Sequence, residues 1–138
     1  MSKLAQCKII NLPRFTDERG SLGVIEVGEH TPFDVKRIYY LFDVPDRAER
    51  GVHAHKKLQQ LIVPICGSFD IHLDDGIQKQ KFTLDNPTQG ILITNMIWRE
   101  LDNFTPGTVC MVFASEHYDN NDYYHVYEEF IADLGKHD

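Results

Sequence analysis

Two histidines with a single residue between them, His53 and His55, are the side chains whose spacing most directly suggests chemistry. They precede an apolar run that ends at Gly67. Successive side chains of a β-strand point to opposite faces, so a strand at this position places both imidazoles on the same face. An imidazole can accept or donate a proton near neutral pH. The pair therefore predicts proton transfer in one shared cavity or on one stretch of surface.

Metal binding and a purely structural role are the two alternatives for this pair. The spacing resembles the first signature of the cupin barrels, in which His-x-His, a following glutamate and a later histidine hold a metal. Here Gln60 occupies the glutamate position, and the segment 90–98 contains no histidine. An amide oxygen is a poor replacement for a carboxylate on a transition metal. The incomplete ligand set favours acid–base chemistry without a metal, beside the flanking cations Arg50 and Lys56.

The elements that must position these residues are mostly short strands. Turn residues such as Asp75-Gly76 separate the apolar segments, as is typical of hairpins in all-β proteins. We predict strands over residues 24–27, 37–42, 60–65, 68–73, 77–84, 90–97 and 108–114. Helical spacing is confined to 122–134, with Asp122 as the predicted N-cap. This pattern predicts an all-β jelly-roll barrel with a short C-terminal helix, in a single domain over 1–138, and the resemblance to the cupin signature implies the cupin type of that barrel (a double-stranded β-helix).

The composition narrows the classes of function. The chain has 138 residues, a formal net charge of −7 and 14 scattered Lys and Arg residues, which argues against binding to a nucleic-acid backbone. No apolar run approaches the length that spans a bilayer. The 3 cysteines include no Cys-x-x-Cys pair, so neither a disulfide framework nor a zinc knuckle is indicated. We expect a soluble, cytoplasmic protein with no nucleic-acid or membrane partner.

Several segments of the chain match one protein family in the same order. They are Asp17-Glu18-Arg19-Gly20, Arg37-Ile38-Tyr39-Tyr40, Arg50-Gly51-Val52-His53-Ala54-His55-Lys56, Gln59-Gln60, and Tyr118-Asp119 with Asp122-Tyr123. This ordered set resembles the sugar 3,4-ketoisomerases of the FdtA, QdtA and WxcM-like group, which are small cupins that act on nucleotide-linked 4-keto-6-deoxyhexoses. The resemblance extends over nearly the whole chain.

The resemblance implies a substrate, a product and an assembly. The substrate would be dTDP-4-keto-6-deoxyglucose, and the product its 3-keto isomer, which is used for unusual sugars of bacterial surface glycans such as lipopolysaccharide and S-layer glycans. The resemblance also implies an enzyme that needs no metal and no other cofactor, and that forms a homodimer.

Moving a carbonyl from C4 to C3 of a sugar requires a base, an acid and a group that stabilises the enediol oxygen. We assign His53 as the principal base at C3, and His55 as its partner, which either returns a proton to C4 or holds an oxygen of the enediol. Tyr39 lies two residues after Arg37, so both share a strand face. Its phenol is predicted to donate to the keto oxygen or to supply a proton. An ordinary packed aromatic is the alternative for Tyr39.

Cations and one aromatic residue are the candidates for binding the nucleotide. Four cations are predicted to meet the pyrophosphate, because guanidinium and ammonium groups bind phosphate oxygens. They are Arg19, Arg37, Arg50 and Lys56. Trp98, the only tryptophan, is predicted to stack on thymine or sugar, and Gln60 to contact the substrate. Solvated surface charges and a core aromatic are the alternatives.

Two other functions remain as alternative hypotheses. One is the related 3,5-epimerase chemistry, whose catalytic pattern uses a lone histidine paired with Asp and Tyr, whereas this chain has His-Ala-His. The other is a noncatalytic sugar-nucleotide-binding cupin, because a fold does not fix a function. Epimerisation would exchange the hydrogen of C5 as well as that of C3, and a binding module would bind without turnover.

Overall fold

The computed structural model describes residues 3–135, and most of their regular structure is β. The strands are β1 (Lys8–Asn11), β2 (Arg14–Asp17), β3 (Gly20–Gly23), β4 (Arg37–Leu41), β5 (Arg50–His55), β6 (Gln60–Cys66), β7 (Phe69–Asp74), β8 (Lys79–Leu84), β9 (Gln89–Ile93), β10 (Trp98–Asp102), β11 (Val109–Ala114) and β12 (Tyr123–Tyr124). The helix α1 is Tyr127–Leu134, and short 3₁₀ turns cover Lys3–Gln6 and Asn120–Asp122.

Two antiparallel five-stranded sheets pack against each other. One has the strand order β1-β9-β6-β11-β4 and the other β12-β5-β10-β7-β8, while β2 and β3 form a separate hairpin. Buried apolar side chains of both sheets meet in one core, such as Ile62 and Val112 of the first sheet and Ile71 and Leu101 of the second. The predicted all-β architecture is confirmed.

Some predicted strands differ from those in the structure. Residues 24–27 form no strand, and Val27 makes only an isolated bridge with Thr31. The apolar run 90–97 contains the end of β9 and then a turn, in which Met96 has a φ of 59°, before β10 begins. β1, β10 and the β2–β3 hairpin lie outside the predicted strands. The segment includes the polar residues Thr94 and Asn95, and the bend lies at 95–96, but the apolar residues on both sides gave it the pattern of one buried strand.

The C-terminal helix starts later than predicted. It begins at Tyr127, and its N-cap is Val126, which makes no side-chain cap bond. Asp122 belongs to the preceding 3₁₀ turn, so the prediction that it caps the helix is wrong. Its carboxylate instead accepts hydrogen bonds from the backbone N–H groups of Lys57 and Leu58, which follow β5.

Helix α1 braces the second sheet. Phe130 is fully buried in a cluster with Ala54 and Trp98. Tyr127 Oη donates to Asp74 Oδ2 at 2.7 Å, which ties the helix to β7. The helix follows β12, which pairs with β5, so the C-terminal segment supports the strand that carries both histidines. Within residues 3–135, no helix has the length and apolarity needed to cross a membrane.

Candidate functional site

Strand β5 carries both histidines and places them side by side. It pairs with β10 and β12, and the register sets Arg99 opposite His53 and Tyr123 opposite His55. Directly opposite side chains of an antiparallel pair lie on the same face. The two imidazole centroids are 4.6 Å apart, with the rings nearly perpendicular. The predicted common face is confirmed, and the neighbouring strands add a guanidinium and a phenol to it.

His53 lines a cavity of about 360 Å³ between the two sheets. The apolar part of the wall contains Leu41, Ile62, Leu101 and Val112. The polar side chains of the wall are Arg37, Tyr39, Arg50, His53, Gln60, Arg99, Tyr118 and Tyr123. Among the described residues, no Asp or Glu lines this cavity. It combines an acid–base group with several guanidinium groups and is therefore suited to an anionic ligand.

His55 lies behind the cavity wall rather than on it. It is 0% exposed and does not line the cavity. The Tyr123 ring contacts both imidazoles, with centroids 4.3 Å from that of His55 and 4.9 Å from that of His53. His55 Nδ1 lies 3.4 Å from Asp122 Oδ2. We expected two imidazoles in one cavity, but only His53 is placed to touch a ligand there.

Burial keeps both imidazoles neutral. Desolvation is the largest cause that lowers the pKa of His53 to about 3, and the charges of Arg99 and His125 add to it. Desolvation also lowers the pKa of His55, followed by the charges of Arg99 and His53. At neutral pH each ring therefore carries one hydrogen and one lone pair. A neutral ring can accept a proton, as a general base must.

Tyr39 ends a hydrogen-bond chain that begins at a buried guanidinium. Arg99, 1% exposed, donates through Nη1 to Gln60 Oε1 and through Nη2 to the Ile97 carbonyl oxygen at 3.0 Å. Gln60 Nε2 donates to Tyr39 Oη at 2.8 Å. Burial is the main cause that raises the pKa of Tyr39, so the phenol keeps its hydrogen. Since Tyr39 accepts from Gln60, it can donate its own hydrogen to a ligand in the cavity.

Arg37 lies beside Tyr39, as their spacing predicts. Its Cζ is 5.0 Å from the Tyr39 ring centroid and 5.6 Å from that of Tyr118. Arg37 Nε and Nη2, and Arg99 Nε, are buried without a hydrogen-bond partner among the described residues. Buried donors left unpaired are energetically unfavourable. We interpret them as donors that oxygen atoms of a ligand satisfy.

Three of the predicted binding residues lie outside this cavity. Arg19 is on the turn of the β2–β3 hairpin, where its Nη2 lies 2.6 Å from Asp17 Oδ2 and its side chain is 85% exposed. Lys56 Nζ is 5.2 Å from the Tyr124 ring centroid and does not line the cavity. Trp98 is 4% exposed and packs beneath α1. Its burial outside this cavity agrees with the core-aromatic alternative that the sequence left open.

Arg99, Tyr123 and Asp122 are the residues of the site that the sequence did not single out as functional. Tyr123 and Asp122 stood in one of the segments that carried the family resemblance, which was a usable signal. Arg99 had none, because it follows Trp98 in a largely apolar stretch and fully buried arginine is rare. Its place in the site follows from the pairing of β10 with β5.

The residues around His53 and His55 do not form a metal-ligand set. Within residues 3–135, no three His, Cys, Asp or Glu side chains come together in a group that could hold an ion. Transition-metal sites in proteins use three or four such ligands. The site is therefore better suited to acid–base chemistry.

Comparison with known proteins identifies one family over nearly the whole chain. The family described as FdtA (WxcM-like, C-terminal) matches residues 5–134. A TDP-4-oxo-6-deoxy-alpha-D-glucose-3,4-oxoisomerase of Aneurinibacillus thermoaerophilus is 44% identical over 129 residues, which are 94% of this chain and 93% of that protein.

Solved structures agree with this comparison. A mutant of the 3,4-ketoisomerase QdtA from Thermoanaerobacterium thermosaccharolyticum, in complex with TDP-4-keto-6-deoxyglucose, is 36% identical with a TM-score of 0.91, covering 94% of each chain. The WlaRB TDP-quinovose 3,4-ketoisomerase from Campylobacter jejuni is 43% identical with a TM-score of 0.87, covering 91% of this chain and 97% of its own. By the matched residues, the identity and the fold, this chain belongs to the FdtA, WxcM-like family.

Proposed function

We propose that this protein is a sugar-nucleotide 3,4-ketoisomerase, which converts dTDP-4-keto-6-deoxy-D-glucose into a dTDP-3-keto-6-deoxyhexose. The observation that carries the proposal is a neutral His53 in a cavity that also holds an available phenol donor and unpaired guanidinium donors. Relatives named as 3,4-oxoisomerase and 3,4-ketoisomerase, at 44% and 43% identity, support this reaction. The QdtA complex with TDP-4-keto-6-deoxyglucose supports the substrate.

The reaction moves protons and needs no external oxidant or reductant. His53 takes the hydrogen of C3 as a proton, the electron pair of that C–H bond becomes the C3=C4 double bond, and the C4 carbonyl becomes an enediolate oxygen. Transfer of the C3 hydroxyl proton to that oxygen, and delivery of a proton to C4, leave a carbonyl at C3 and a hydroxyl at C4. One carbon is oxidised as its neighbour is reduced, so acid–base groups are sufficient.

Tyr39 is the donor that we assign to the enediolate oxygen. It accepts from Gln60, which accepts from Arg99, so a buried positive charge polarises the chain toward the phenol. A fixed donor directed at the atom where negative charge develops stabilises the transition state more than the ground state. Arg99 thus contributes through Gln60 and through its charge, without contact with the reacting carbons.

Arg37 and Arg50 are the cations that we assign to the pyrophosphate. Both line the cavity, and Arg37 retains buried N–H groups without a partner among the described residues. A guanidinium presents parallel donors that match the oxygen pair of a phosphate. Lys56 and Trp98, which lie outside the cavity, receive no binding role in this proposal.

We further propose that the protein is a homodimer built on the β2–β3 hairpin. Phe15 and Leu22 are paired in register on this hairpin and are 63% and 57% exposed. An exposed apolar pair on a projecting element is a surface that association can bury. Exchange of the hairpin between two copies would bury this pair and bring Arg19 onto the second copy. Size-exclusion chromatography with light scattering tests this, since a monomer mass would contradict it.

We place the reaction in the cytoplasm, and its product in the synthesis of bacterial surface glycans such as lipopolysaccharide or S-layer glycans. Cys7, Cys66 and Cys110 are all free thiols, as is typical of a reducing compartment. The glycan assignment follows from the family resemblance.

Incubation of the purified protein with dTDP-4-keto-6-deoxyglucose in D₂O, followed by NMR of the sugar, tests the proposed reaction. We expect a new 3-keto isomer with deuterium at C4, and deuterium at C3 in the 4-keto sugar that re-forms by the reverse reaction. Deuterium at C5 would indicate the 3,5-epimerase alternative. Binding without a new isomer would indicate the noncatalytic module.

A further inference from the structure

Asp122 occupies the space behind the two imidazoles, and the proposed function gives it no role. We infer that Asp122 is a positioning residue of the reaction, which fixes the hydrogen of His55 on Nδ1 and places a buried negative charge behind the His53–His55 pair. This inference rests on the proposed ketoisomerase function. It also accounts for a fully buried His55 that cannot reach the substrate itself.

The Asp122 carboxylate is held in place by the turn that follows β5. Its Oδ1 accepts from the backbone N–H of Lys57 at 2.9 Å, and its Oδ2 accepts from that of Leu58 at 3.2 Å. The Asp122 carbonyl oxygen accepts from the backbone N–H of Lys56 at 2.8 Å. Asp122 is only 9% exposed. The carboxylate therefore cannot rotate away from His55, whose Nδ1 lies 3.4 Å from Oδ2.

The charge of this carboxylate, 3.4 Å from His55 Nδ1, favours the hydrogen of His55 on that nitrogen. A carboxylate can only accept, so the imidazole nitrogen that faces it is stabilised in its N–H form. A neutral imidazole has one hydrogen, so Nε2 is left with a lone pair. His53 Nε2 and both nitrogens of His55 are buried without a hydrogen-bond partner among the described residues, so the Asp122 carboxylate acts on His55 through its charge rather than through a hydrogen bond. The two rings are in contact, with centroids 4.6 Å apart, so the orientation of the neutral His55 ring sets the dipole beside His53.

The second reason is the charge that forms during turnover. When His53 takes the C3 proton it becomes a cation, in a cavity lined by Arg37, Arg50 and Arg99 and, in the described part of the chain, by no carboxylate. The Asp122 carboxylate is buried beside this site, since its Oδ2 lies 3.4 Å from Nδ1 of His55, whose ring contacts that of His53. A negative charge in a low-dielectric interior stabilises a nearby cation more strongly than it would in water. Asp122 thus lowers the energy of the protonated base.

Asp122 also binds backbone N–H groups, so a purely structural role must be separated from this one. Nitrogen-15 NMR of the imidazole nitrogens in the wild-type protein does so without any substitution. At neutral pH we expect His55 Nδ1 to give a protonated, pyrrole-type signal and Nε2 a lone-pair, pyridine-type signal. The opposite tautomer of His55 would overturn the inference, whatever the enzyme's activity.

The matched pair of variants is Asp122→Asn and Asp102→Asn. Asp102 Oδ1 lies 2.9 Å from His72 Nε2 on a partly exposed surface, so its substitution breaks a similar His–carboxylate contact away from the cavity. We expect Asp122→Asn to lower kcat about 10–100-fold, by analogy with the loss of a carboxylate that orients a metal-bound histidine. Its affinity for dTDP should be unchanged, and the His55 ring signals should shift. Asp102→Asn should keep the wild-type kcat.

Three results separate the inference from the function on which it rests. If the wild-type protein forms no keto isomer, the proposed function fails, while the NMR signals still decide the tautomer. If the wild type is active and Asp122→Asn keeps its kcat, the role of Asp122 alone is overturned. If Asp122→Asn does not fold, Asp122→Glu replaces it as the test variant. This variant keeps the charge and moves the carboxylate, and the pH dependence of its kcat is measured. A profile equal to the wild-type profile would then overturn the inference. The charged groups facing His55 that set this profile are Arg37, His53, Arg99, Asp122 and His125.

Discussion

Replacing Tyr39 by phenylalanine removes a single oxygen atom and perturbs both stability and catalysis. In the wild type, Tyr39 Oη accepts a hydrogen bond of 2.8 Å from Gln60 Nε2 and, in the proposed function, donates its own hydrogen to the enediolate. The aromatic ring and its contact with the Arg37 guanidinium remain in the variant. The two lost interactions have different sizes and are measured separately.

The expected magnitudes follow from the burial of these groups. Gln60 is 1% exposed, so its Nε2 loses its acceptor without access to bulk water. An unpaired buried polar group costs about 1–3 kcal/mol, so the free energy of unfolding should fall by that amount. Removal of one donor to a developing oxyanion lowers kcat by about 10²–10³-fold, which is the expected loss of activity. A domain of ordinary stability, about 5–15 kcal/mol, stays folded after a loss of this size, so the stability loss alone would not produce the rate loss.

The assay compares two adjacent tyrosines. Initial rates of 3-keto product formation give kcat, and urea unfolding followed by the fluorescence of Trp98, the only tryptophan, gives the free energy of unfolding. Tyr40→Phe is the control, because Tyr40 is the next residue on the strand and is 57% exposed. It should leave both quantities unchanged. If Tyr39→Phe keeps the wild-type kcat, Tyr39 is an ordinary packed aromatic and the enediolate donor must be another group.

Three further predictions concern His53 and metals. His53→Asn should abolish isomerisation and leave dTDP affinity unchanged in calorimetric titration, because the amide has similar size but no comparable basicity; retained turnover would contradict the assignment of the base. The free energy of unfolding should decrease as the pH falls from 6.5 toward about 3, because the His53 pKa is 6.5 when exposed and about 3 when folded, so the unfolded chain binds the extra proton. Urea titrations at several pH values give the slope of the free energy of unfolding against pH. In that window the slope for His53→Asn should be smaller than that of the wild type by up to about 1.4 kcal/mol per pH unit, and equal slopes would argue against a buried neutral His53. Treatment with EDTA should leave kcat unchanged, whereas activity lost and then restored by one divalent ion would support the metal alternative.

The sequence predicted the part of the site that depends on local spacing. His53 and His55 share a face, and Arg37 lies beside Tyr39, because side chains alternate along a strand. The spacing of two residues in the sequence does not indicate how deeply either side chain is buried. His55 is buried because β12, which follows it by more than sixty residues in the chain, pairs with the end of β5. No local pattern around His55 contains that information.

Trp98 and Arg99 show a second limit. Alternation requires adjacent strand residues to face opposite sides, but it does not say which side is the cavity. We assigned the tryptophan to the ligand and gave the arginine no role, whereas the structure places Arg99 on the cavity wall and Trp98 beneath α1. The side is set by the pairing of β10 with β5, which brings Arg99 opposite His53, and by α1, which covers Trp98. Both are contacts between segments distant in sequence.

The distribution of charge explains how one imidazole can serve as a base in this site. The chain has 21 Asp and Glu residues, yet none of those described lines the cavity, so burial and the arginines keep His53 neutral and able to accept a proton. The same arginines disfavour the imidazolium that forms when it does. In the proposed function, the doubly negative pyrophosphate in the cavity and Asp122 behind His55 supply the opposite charge, from two separate positions. Burial and the arginines thus stabilise the neutral base, whereas the pyrophosphate and Asp122 stabilise its protonated form. Of these groups, only the pyrophosphate arrives with the nucleotide.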